Sequence, residues 1–376
     1  MLEMMNLGLS AGGEQKPFNL KKFGLSARES IYVLSDNGNL YSISPTNANL
    51  SGVGTTTNSW TLISSGVDDF WAGDASLLFK TRGSQWFITG YNFFFQRTEN
   101  TPLEVTDKVT AINKPIKKIE MGAGAIAFLY TDNTLAMAGQ GPHLGQGYNS
   151  AFPDLVYVSP PTALGITDVA IDDNANTTWI LSGDAYGCGV GTKYQFSSTN
   201  GTGMRTSFVR IPNPVNSAIR GLKAGNLCIY MRGSRTDGDE VILGLGDNTG
   251  GKLAQASYVS EISTLSIVTA SVYTPSYGFY PLYIGVVRRR DSNIALTGQA
   301  AGTGWGLASQ NYYDFTRVPG TNPLWGEVFQ RGSSLNTYIL TADNVLYGSG
   351  NASTGKLPGY TTAQTTYVPI DLTGLE

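Results

Sequence analysis

One short unit recurs along the chain and restricts the fold more than any other feature of the sequence. It consists of an apolar strand, a polar turn containing Asp, Asn or Gly, and a second apolar strand that ends near a glycine. The unit is clear at residues 31–43 and 126–139. Asn, Asp and Gly suit tight hairpins because they tolerate a positive φ. The unit therefore predicts antiparallel hairpins, not helices.

Seven such units follow one another along the chain. A period near 50 residues built only from strands indicates a β-propeller, whose small sheets cover one another around a ring. We therefore predict an all-β, seven-bladed propeller over residues 19–376, with about 50 residues per blade, preceded by a short irregular arm at residues 1–18. The equivalent second-strand positions, about 45 to 56 residues apart, are Tyr41, Trp86, Leu135, Tyr186, Ile242, Ile294 and Leu346.

The two ends of the chain carry predictions of their own. Residues 367–372 match the segment that precedes each unit, so we expect them to pair beside the strands of the first unit and close the ring. The N-terminal arm matches no blade. We predict that its apolar side chains dock on a neighbouring subunit, which makes a homo-oligomer an expected arrangement. These anchors are Met4, Met5, Leu7 and Leu9.

Composition excludes several classes of partner. The net charge is −3 and charged residues make up 14% of the chain, which gives no strong field to attract nucleic acid. No apolar stretch approaches the roughly 18 residues needed to span a bilayer. The N-terminus also lacks the basic region and apolar run of a secretory signal. We therefore expect no nucleic-acid binding, no membrane insertion and no secretory signal.

The residues that could support catalysis are few. The chain has a single histidine, His143, and two separated cysteines, Cys188 and Cys228, and no motif pairs a nucleophile with a base. Residues 172–176 partly match a calcium loop, but the usual glycine and the bidentate glutamate are missing. We predict no metal, no cofactor and no enzymatic activity.

A carbohydrate-active propeller stays open as an alternative. Asp68 and Asp69 with Asp314 offer carboxylates of the type that glycosidases use in pairs. Nothing in the sequence shows how far apart these carboxylates lie. The alternative therefore rests on residue type alone.

Aromatic residues follow the closing glycine of several units. Equivalent loops of a propeller share one face, so these side chains predict a surface for a protein partner or a host-surface glycan. Packing between blades is the alternative role for the same side chains. The predicted binding residues are Tyr91, Phe93, Phe94, Phe95, Tyr148, Trp305, Tyr312 and Tyr313.

The seventh unit contains a more specific pattern. An apolar strand leads into Gly348-Ser349-Gly350-Asn351, then Gly355-Lys356-Leu357, and later Val368-Pro369-Ile370. This pattern resembles the repeat of the RCC1 family (regulator of chromosome condensation), and the fifth unit repeats it at residues 244–253. The resemblance implies the propeller fold. It also implies one candidate function, that of a cellular scaffold or small-GTPase regulator.

These observations combine into one predicted function. We expect a non-enzymatic structural, adsorption or scaffold protein that presents loops on a rigid propeller. A surface poor in charge and rich in Asn, Thr, Ser and Gly is typical of virion proteins, so a component of a tailed-phage virion is the first interpretation. A cytoplasmic location goes with the cellular alternative.

Overall fold

The computed structural model describes most of the chain between Phe18 and Leu375. The described residues are 18–26, 28, 30–91, 95, 98–122, 124–172, 177–193, 195–196, 202–235, 240–249, 252–254, 261–270, 278–281, 285–290, 293–299, 311–317, 325–329, 336–341, 344–352, 356–373 and 375. Within these ranges, no helix is long and apolar enough to cross a membrane.

Strands dominate the described chain. In order they are β1 Leu20–Leu25, β2 Ile31–Ser35, β3 Leu40–Ser44, β4 Thr57–Ser64, β5 Val67–Ala72, β6 Ser76–Thr81, β7 Trp86–Tyr91, β8 Thr98–Glu104, β9 Ile116–Met121, β10 Ala125–Tyr130, β11 Leu135–Gly139, β12 Phe152–Val158, β13 Asp168–Ile171, β14 Thr177–Ser182, β15 Asp184–Gly191, β16 Gly203–Arg210, β17 Ala218–Gly225, β18 Cys228–Ser234, β19 Glu240–Asp247, β20 Glu261–Ala270, β21 Gly278–Pro281, β22 Gly285–Arg290, β23 Asn293–Gln299, β24 Asn311–Arg317, β25 Trp325–Phe329, β26 Thr337–Thr341, β27 Leu346–Gly350 and β28 Gln364–Pro369. The short helices are the 3-10 turns Ala48–Leu50 and Gly141–Leu144 and the α-helix Thr106–Thr110, here α1.

Consecutive strands pair into four-stranded antiparallel sheets, numbered 1 to 7 in chain order. The first strands of successive sheets contact each other, so they line the central axis. Among the strands whose side chains are described, second and third strands such as β2, β3 and β10 are buried on both faces. Burial on both faces explains why β2 and β10 read as nearly continuous apolar runs and not as alternating patterns. The fold is an all-β propeller.

The predicted number of seven equivalent blades needs a correction. Described side chains pack a sheet against its neighbours in six sheets, which are sheets 1 to 5 and sheet 7. Sheet 6, β21 to β24, is described through backbone pairing, and the side chain of Leu296 is buried in it. Packed blades are therefore shown for six sheets, because a blade is defined by the side chains that it buries against its neighbours.

Ion pairs connect the inner strands of neighbouring sheets. The Lys22 ammonium lies 2.7 Å from a carboxylate oxygen of Asp69, which joins sheets 1 and 2. The Lys118 ammonium lies 2.8 Å from Asp168, which joins sheets 3 and 4. Asp168 also accepts a hydrogen bond of 2.8 Å from the backbone N–H of Leu222 in sheet 5. One carboxylate thus links three successive sheets.

The predicted pairing of the C-terminal segment beside the first unit is wrong. The final strand, β28, pairs with β27 inside sheet 7. Sheets 1 and 7 instead meet through side chains. The rings of Phe23 and Tyr338 lie 5.2 Å apart between centroids, and the Trp60 indole N–H donates to the Asp371 carbonyl at 3.2 Å. Each sheet is complete within its own segment of chain, so the two ends join by packing.

The N-terminal arm lies almost entirely outside the described residues. Its predicted anchors Met4, Met5, Leu7 and Leu9 are among the residues not described, so their docking role stays a prediction. Phe18 is described, and its ring makes an edge contact with Tyr41, with 6.2 Å between centroids. The last residue of the arm is therefore held against sheet 1.

Candidate binding face formed by the sheet loops

Because consecutive strands of each sheet are antiparallel, the links between strands emerge alternately at the two ends of the propeller. In each sheet the link from the third to the fourth strand emerges at the same end as the link from the first to the second. We call this end the loop face and the third-to-fourth links the outer loops. The aromatic residues predicted to bind a partner lie in or beside these outer loops.

The outer loops are held to their own sheets by a repeated hydrogen bond. A large aromatic side chain on the second strand donates to a carbonyl oxygen in the loop. The pairs are Tyr32 with Leu50 at 3.1 Å, Trp179 with Gln195 at 3.2 Å, Tyr230 with Lys252 at 3.0 Å, and Tyr338 with Lys356 at 2.5 Å. The bond satisfies a polar tip that burial would otherwise leave without a partner.

An apolar side chain of the outer loop then packs over a glycine of the third strand. A Cβ atom added at Gly244 would lie 2.8 Å from Leu253, and one at Gly348 would lie 2.7 Å from Leu357. In sheet 4 Phe196 occupies the same place over Gly187. In the RCC1-like motif, the strand glycine and the loop leucine therefore pack directly against each other.

The outer loops of sheets 1 to 4 also reach forward to the fourth strand of the next sheet. These contacts were missed in the sequence analysis, because no local pattern relates a loop to a strand about 50 residues away. We call such a loop a clasp. The contacts are Gly54 N–H to the Asn100 carbonyl at 3.0 Å, Phe95 N–H to the Pro153 carbonyl at 2.7 Å, Gly147 N–H to the Thr206 carbonyl at 2.7 Å, and Lys193 to Glu261 at 2.7 Å.

The clasp of sheet 3 is the most completely defined. Its 3-10 turn Gly141–Leu144 buries Leu144, and the next residue, Gly145, lies under the ring of Phe208 in sheet 4. A Cβ atom at Gly145 would lie 2.2 Å from that ring, so glycine is required there. Beyond it, Tyr148 is 49% exposed and its ring lies 4.7 Å from that of Phe152. The clasp thus presents a supported aromatic side chain to solvent.

The structure separates the predicted binding residues. Phe95 is buried in the core between sheets 2 and 3, so it takes the interblade packing role. Tyr148 is exposed, as a binding residue must be. For Tyr91, Tyr312 and Tyr313 the backbone alone is described, and Phe93, Phe94 and Trp305 lie outside the described residues. A binding role for these residues stays a prediction.

The groups best suited to catalysis are buried and neutral. His143 is 1% exposed, one ring nitrogen lies 3.2 Å from the Gln140 side-chain oxygen, and burial lowers its pKa to about 4. Burial raises the pKa of the Cys188 thiol, which donates to the His143 carbonyl at 3.2 Å. Burial also raises the pKa of Cys228 to about 12. Neither thiol is a nucleophile at neutral pH.

The acidic residues considered as ligands or catalysts are engaged by the fold. Asp172 is buried and accepts a 2.7 Å hydrogen bond from the Leu227 backbone N–H. Asp68 and Asp69 pair with Lys21 and Lys22 across sheets 1 and 2. Within the described part of the chain, no cluster of three or more His, Cys, Asp or Glu side chains is suited to hold a metal ion.

The carboxylate of Asp314 and the residues of the partial calcium loop at 173–176 lie outside the described side chains. The carbohydrate-active alternative still rests on residue type alone.

Comparison with solved structures defines the class of fold. A scan of family models and a search of curated proteins each found no match. Prp20p from Saccharomyces cerevisiae, studied for its binding to Gsp1p and histones, superposes with a TM-score of 0.73 at 12% identity, covering 91% of this chain and 88% of that chain. Yeast RCC1 (Prp20) bound to Kap60 gives 0.70 at 11% identity, with 96% and 86% covered. Human WBSCR16 gives 0.54 at 13%, with 95% and 83% covered.

At these identities the likeness concerns the fold alone. The RCC1-like resemblance predicted from the repeats is confirmed at that level. The chain has an RCC1-like propeller fold, with a loop face on which outer loops clasp the next sheet.

Proposed function

We propose that this protein is a non-enzymatic scaffold that binds a protein partner on its loop face. The observation that carries the proposal is Tyr148, a half-exposed ring held against Phe152 on a clasp that is fixed to two sheets. Rigid presentation lowers the entropy lost on binding, and tyrosine is enriched at the energetic centres of interfaces. The loop face therefore combines a prepared aromatic contact with a rigid support.

Two further observations support a binding role. The single histidine and both cysteines are buried and neutral, which leaves few groups for acid–base or nucleophilic chemistry. The similar Prp20 structures were determined in studies of binding to Gsp1p, histones and Kap60, which are proteins. We therefore propose a protein partner in preference to a glycan. A cellular scaffold or regulator is the second candidate function.

The location of the scaffold is also a proposal. The low charged fraction of 14% favours assembly into a virion over a cytoplasmic role. Peptides of this chain should be recovered from purified, nuclease-treated particles of its source if it is a virion component. Recovery only from the soluble cell fraction would support the cytoplasmic alternative.

A matched pair of tyrosines tests the binding face. Tyr148 and Tyr157 belong to the same sheet and are 49% and 54% exposed, but Tyr157 lies near the opposite end of β12. The partner is first identified by affinity purification from the source with the wild-type protein. The dissociation constant of that partner is then measured for wild type, Tyr148→Ala and Tyr157→Ala.

We expect Tyr148→Ala to weaken partner binding about tenfold or more, as loss of an interface aromatic typically does. Tyr157→Ala should leave the affinity within about twofold. Equal effects of the two variants would reject the loop face as the binding surface. A glycan array probed with the same three proteins shows whether a sugar binds the wild type and whether that binding depends on Tyr148.

A further inference from the structure

The clasp of sheet 3 places the chain's single histidine between two sheets. His143 belongs to the 3-10 turn Gly141–Leu144, and its side chain is 1% exposed. Leu144 beside it is buried with Ile180 of sheet 4. The Cys188 thiol of sheet 4 donates to the His143 carbonyl oxygen. A titratable ring thus occupies the joint that holds sheets 3 and 4 together.

Among the described residues, no hydrogen-bond acceptor contacts the ring nitrogen that would take up a second proton. One ring nitrogen contacts the Gln140 side-chain oxygen at 3.2 Å. The other nitrogen, Nδ1, is buried without a hydrogen-bond partner among the described residues. The protonated ring would carry an N–H donor on Nδ1 and a full charge in an apolar joint, and both are costly to bury.

The neighbouring elements offer little to balance that charge. The turn packs against β11, β14, β15 and β16, and the first two contain no Asp, Glu, Lys, Arg, Tyr, Cys or His. Asp184 of β15 pairs with Arg210 of β16 at 2.8 Å near the opposite end of sheet 4. The remaining titratable side chains of β15 and β16 are Tyr186, Cys188 and Arg205, none of them a carboxylate.

We propose that the clasp of sheet 3 is an acid-sensitive latch, which releases sheet 4 when His143 takes up a proton. Release breaks the contact of Gly147 with Thr206 and frees the loop that carries Tyr148. The consequence for a partner bound at Tyr148 rests on the proposed function. The proposed opening of the clasp does not depend on the proposed function.

The direction and range of the pH effect follow from the two states of the ring. In the closed clasp burial lowers the pKa of His143 from 6.5 to about 4. Above about pH 7 neither state binds the proton, so the clasp is at its most stable. Between pH 6.5 and 4 the open state alone binds it, and closure weakens. From pH 7 to pH 5 the equilibrium constant for opening should rise about 20-fold, and below pH 4 it should level off.

Hydrogen exchange measures this opening directly. Protection of the Gly147 amide, corrected for the intrinsic pH dependence of exchange, should fall about 20-fold between pH 7 and pH 5. The Gly54 amide, in the equivalent contact of sheet 1, is the internal control, because its outer loop, residues 45–56, contains no titratable side chain. Its protection should change by less than about twofold. The variant His143→Gln should make the protection of Gly147 independent of pH.

A second measurement keeps the test decisive if the variant fails to fold. The untagged protein has one imidazole, so its NMR titration belongs to His143 without ambiguity. We expect a pKa below 5. A ring that titrates near 6.5 while the protection of Gly147 stays constant overturns the latch. If the clasp opens in acid but Tyr148→Ala leaves partner binding unchanged, the latch stands and the proposed binding face fails.

Discussion

The Tyr230 hydroxyl donates a hydrogen bond of 3.0 Å to the Lys252 carbonyl oxygen. This bond places the next residue, Leu253, over Gly244 on the third strand. Tyr338, Lys356 and Leu357 repeat the arrangement in sheet 7. The pattern that makes the sequence resemble RCC1 repeats is therefore a packing contact, and it can be tested as one.

Adding a methyl group at Gly244 should disrupt this contact. A Cβ atom there would lie 2.6 Å from Val268 and 2.8 Å from Leu253, so Gly244→Ala overpacks a filled site. We expect a loss of about 1 to 3 kcal/mol in the free energy of unfolding, measured by urea denaturation. Gly83→Ala is the control, because the nearest atom to its Cβ lies 3.6 Å away. Equal stability of the two variants would contradict the packing account.

Closure of the ring by side chains gives a second prediction. Phe23 in sheet 1 and Tyr338 in sheet 7 are separated by more than 300 positions, yet their ring centroids lie 5.2 Å apart. A double-mutant cycle with Phe23→Leu and Tyr338→Leu should give a coupling energy of about 0.5 to 1.5 kcal/mol. The rings of Phe79 and Phe87, 5.3 Å apart within sheet 2, provide the reference cycle. A coupling near zero only in the first cycle would show that the ends do not pack in solution.

The sequence predicted the parts of this fold that depend on local contacts. Hairpins such as β10–β11 follow from a turn and two apolar runs, and their repetition indicated a propeller. Contacts between sheets depend on how the ring brings distant segments together. Phe95 was therefore predicted to bind a partner although it is buried, and the C-terminal strand was assigned to the wrong neighbour. The clasps were missed for the same reason.

The link made by Asp168 gives a third prediction. Its carboxylate is 18% exposed, pairs with Lys118 and accepts the Leu222 backbone N–H. Removing it takes this acceptor from a backbone donor of sheet 5, while Lys118 keeps its pair with Glu120. We expect Asp168→Ala to lower the free energy of unfolding by about 2 to 3 kcal/mol. Asp154 also pairs with a lysine, Lys108, at 2.7 Å but is 61% exposed. Asp154→Ala should cost at most about 1 kcal/mol.

The comparison uses chemical denaturation of the wild type and both variants at pH 7. A cost for Asp154→Ala equal to that for Asp168→Ala would show that the inner-strand link adds nothing beyond an ordinary surface pair. The measured order of the two costs therefore decides whether Asp168 joins the sheets.

Acid should also remove the contribution that Asp132, in the β10–β11 hairpin of sheet 3, makes to the free energy of unfolding. The Lys114 ammonium lies 2.7 Å from Asp132, and Thr134 donates to the same carboxylate from its N–H and its hydroxyl. The bond from Lys114, then those from Thr134, lower the pKa of Asp132 to about 2 from an ordinary 3.8. The folded state therefore holds the ionised carboxylate more strongly than the unfolded state does. Its stabilising contribution is complete above about pH 4 and is lost as the pH falls from 3.8 through 2.

The variant Asp132→Asn isolates this contribution, because asparagine keeps the shape of the side chain and cannot ionise. The difference in free energy of unfolding between wild type and variant should be constant from pH 7 to pH 4.5 and should shrink steadily below pH 3.8. The acid loss expected from His143 falls between pH 6.5 and 4, so the two effects occupy different ranges of pH. A carboxyl NMR titration of Asp132 with a midpoint near 4, or a difference that does not change down to pH 2, would show that Lys114 and Thr134 do not hold this carboxylate in solution.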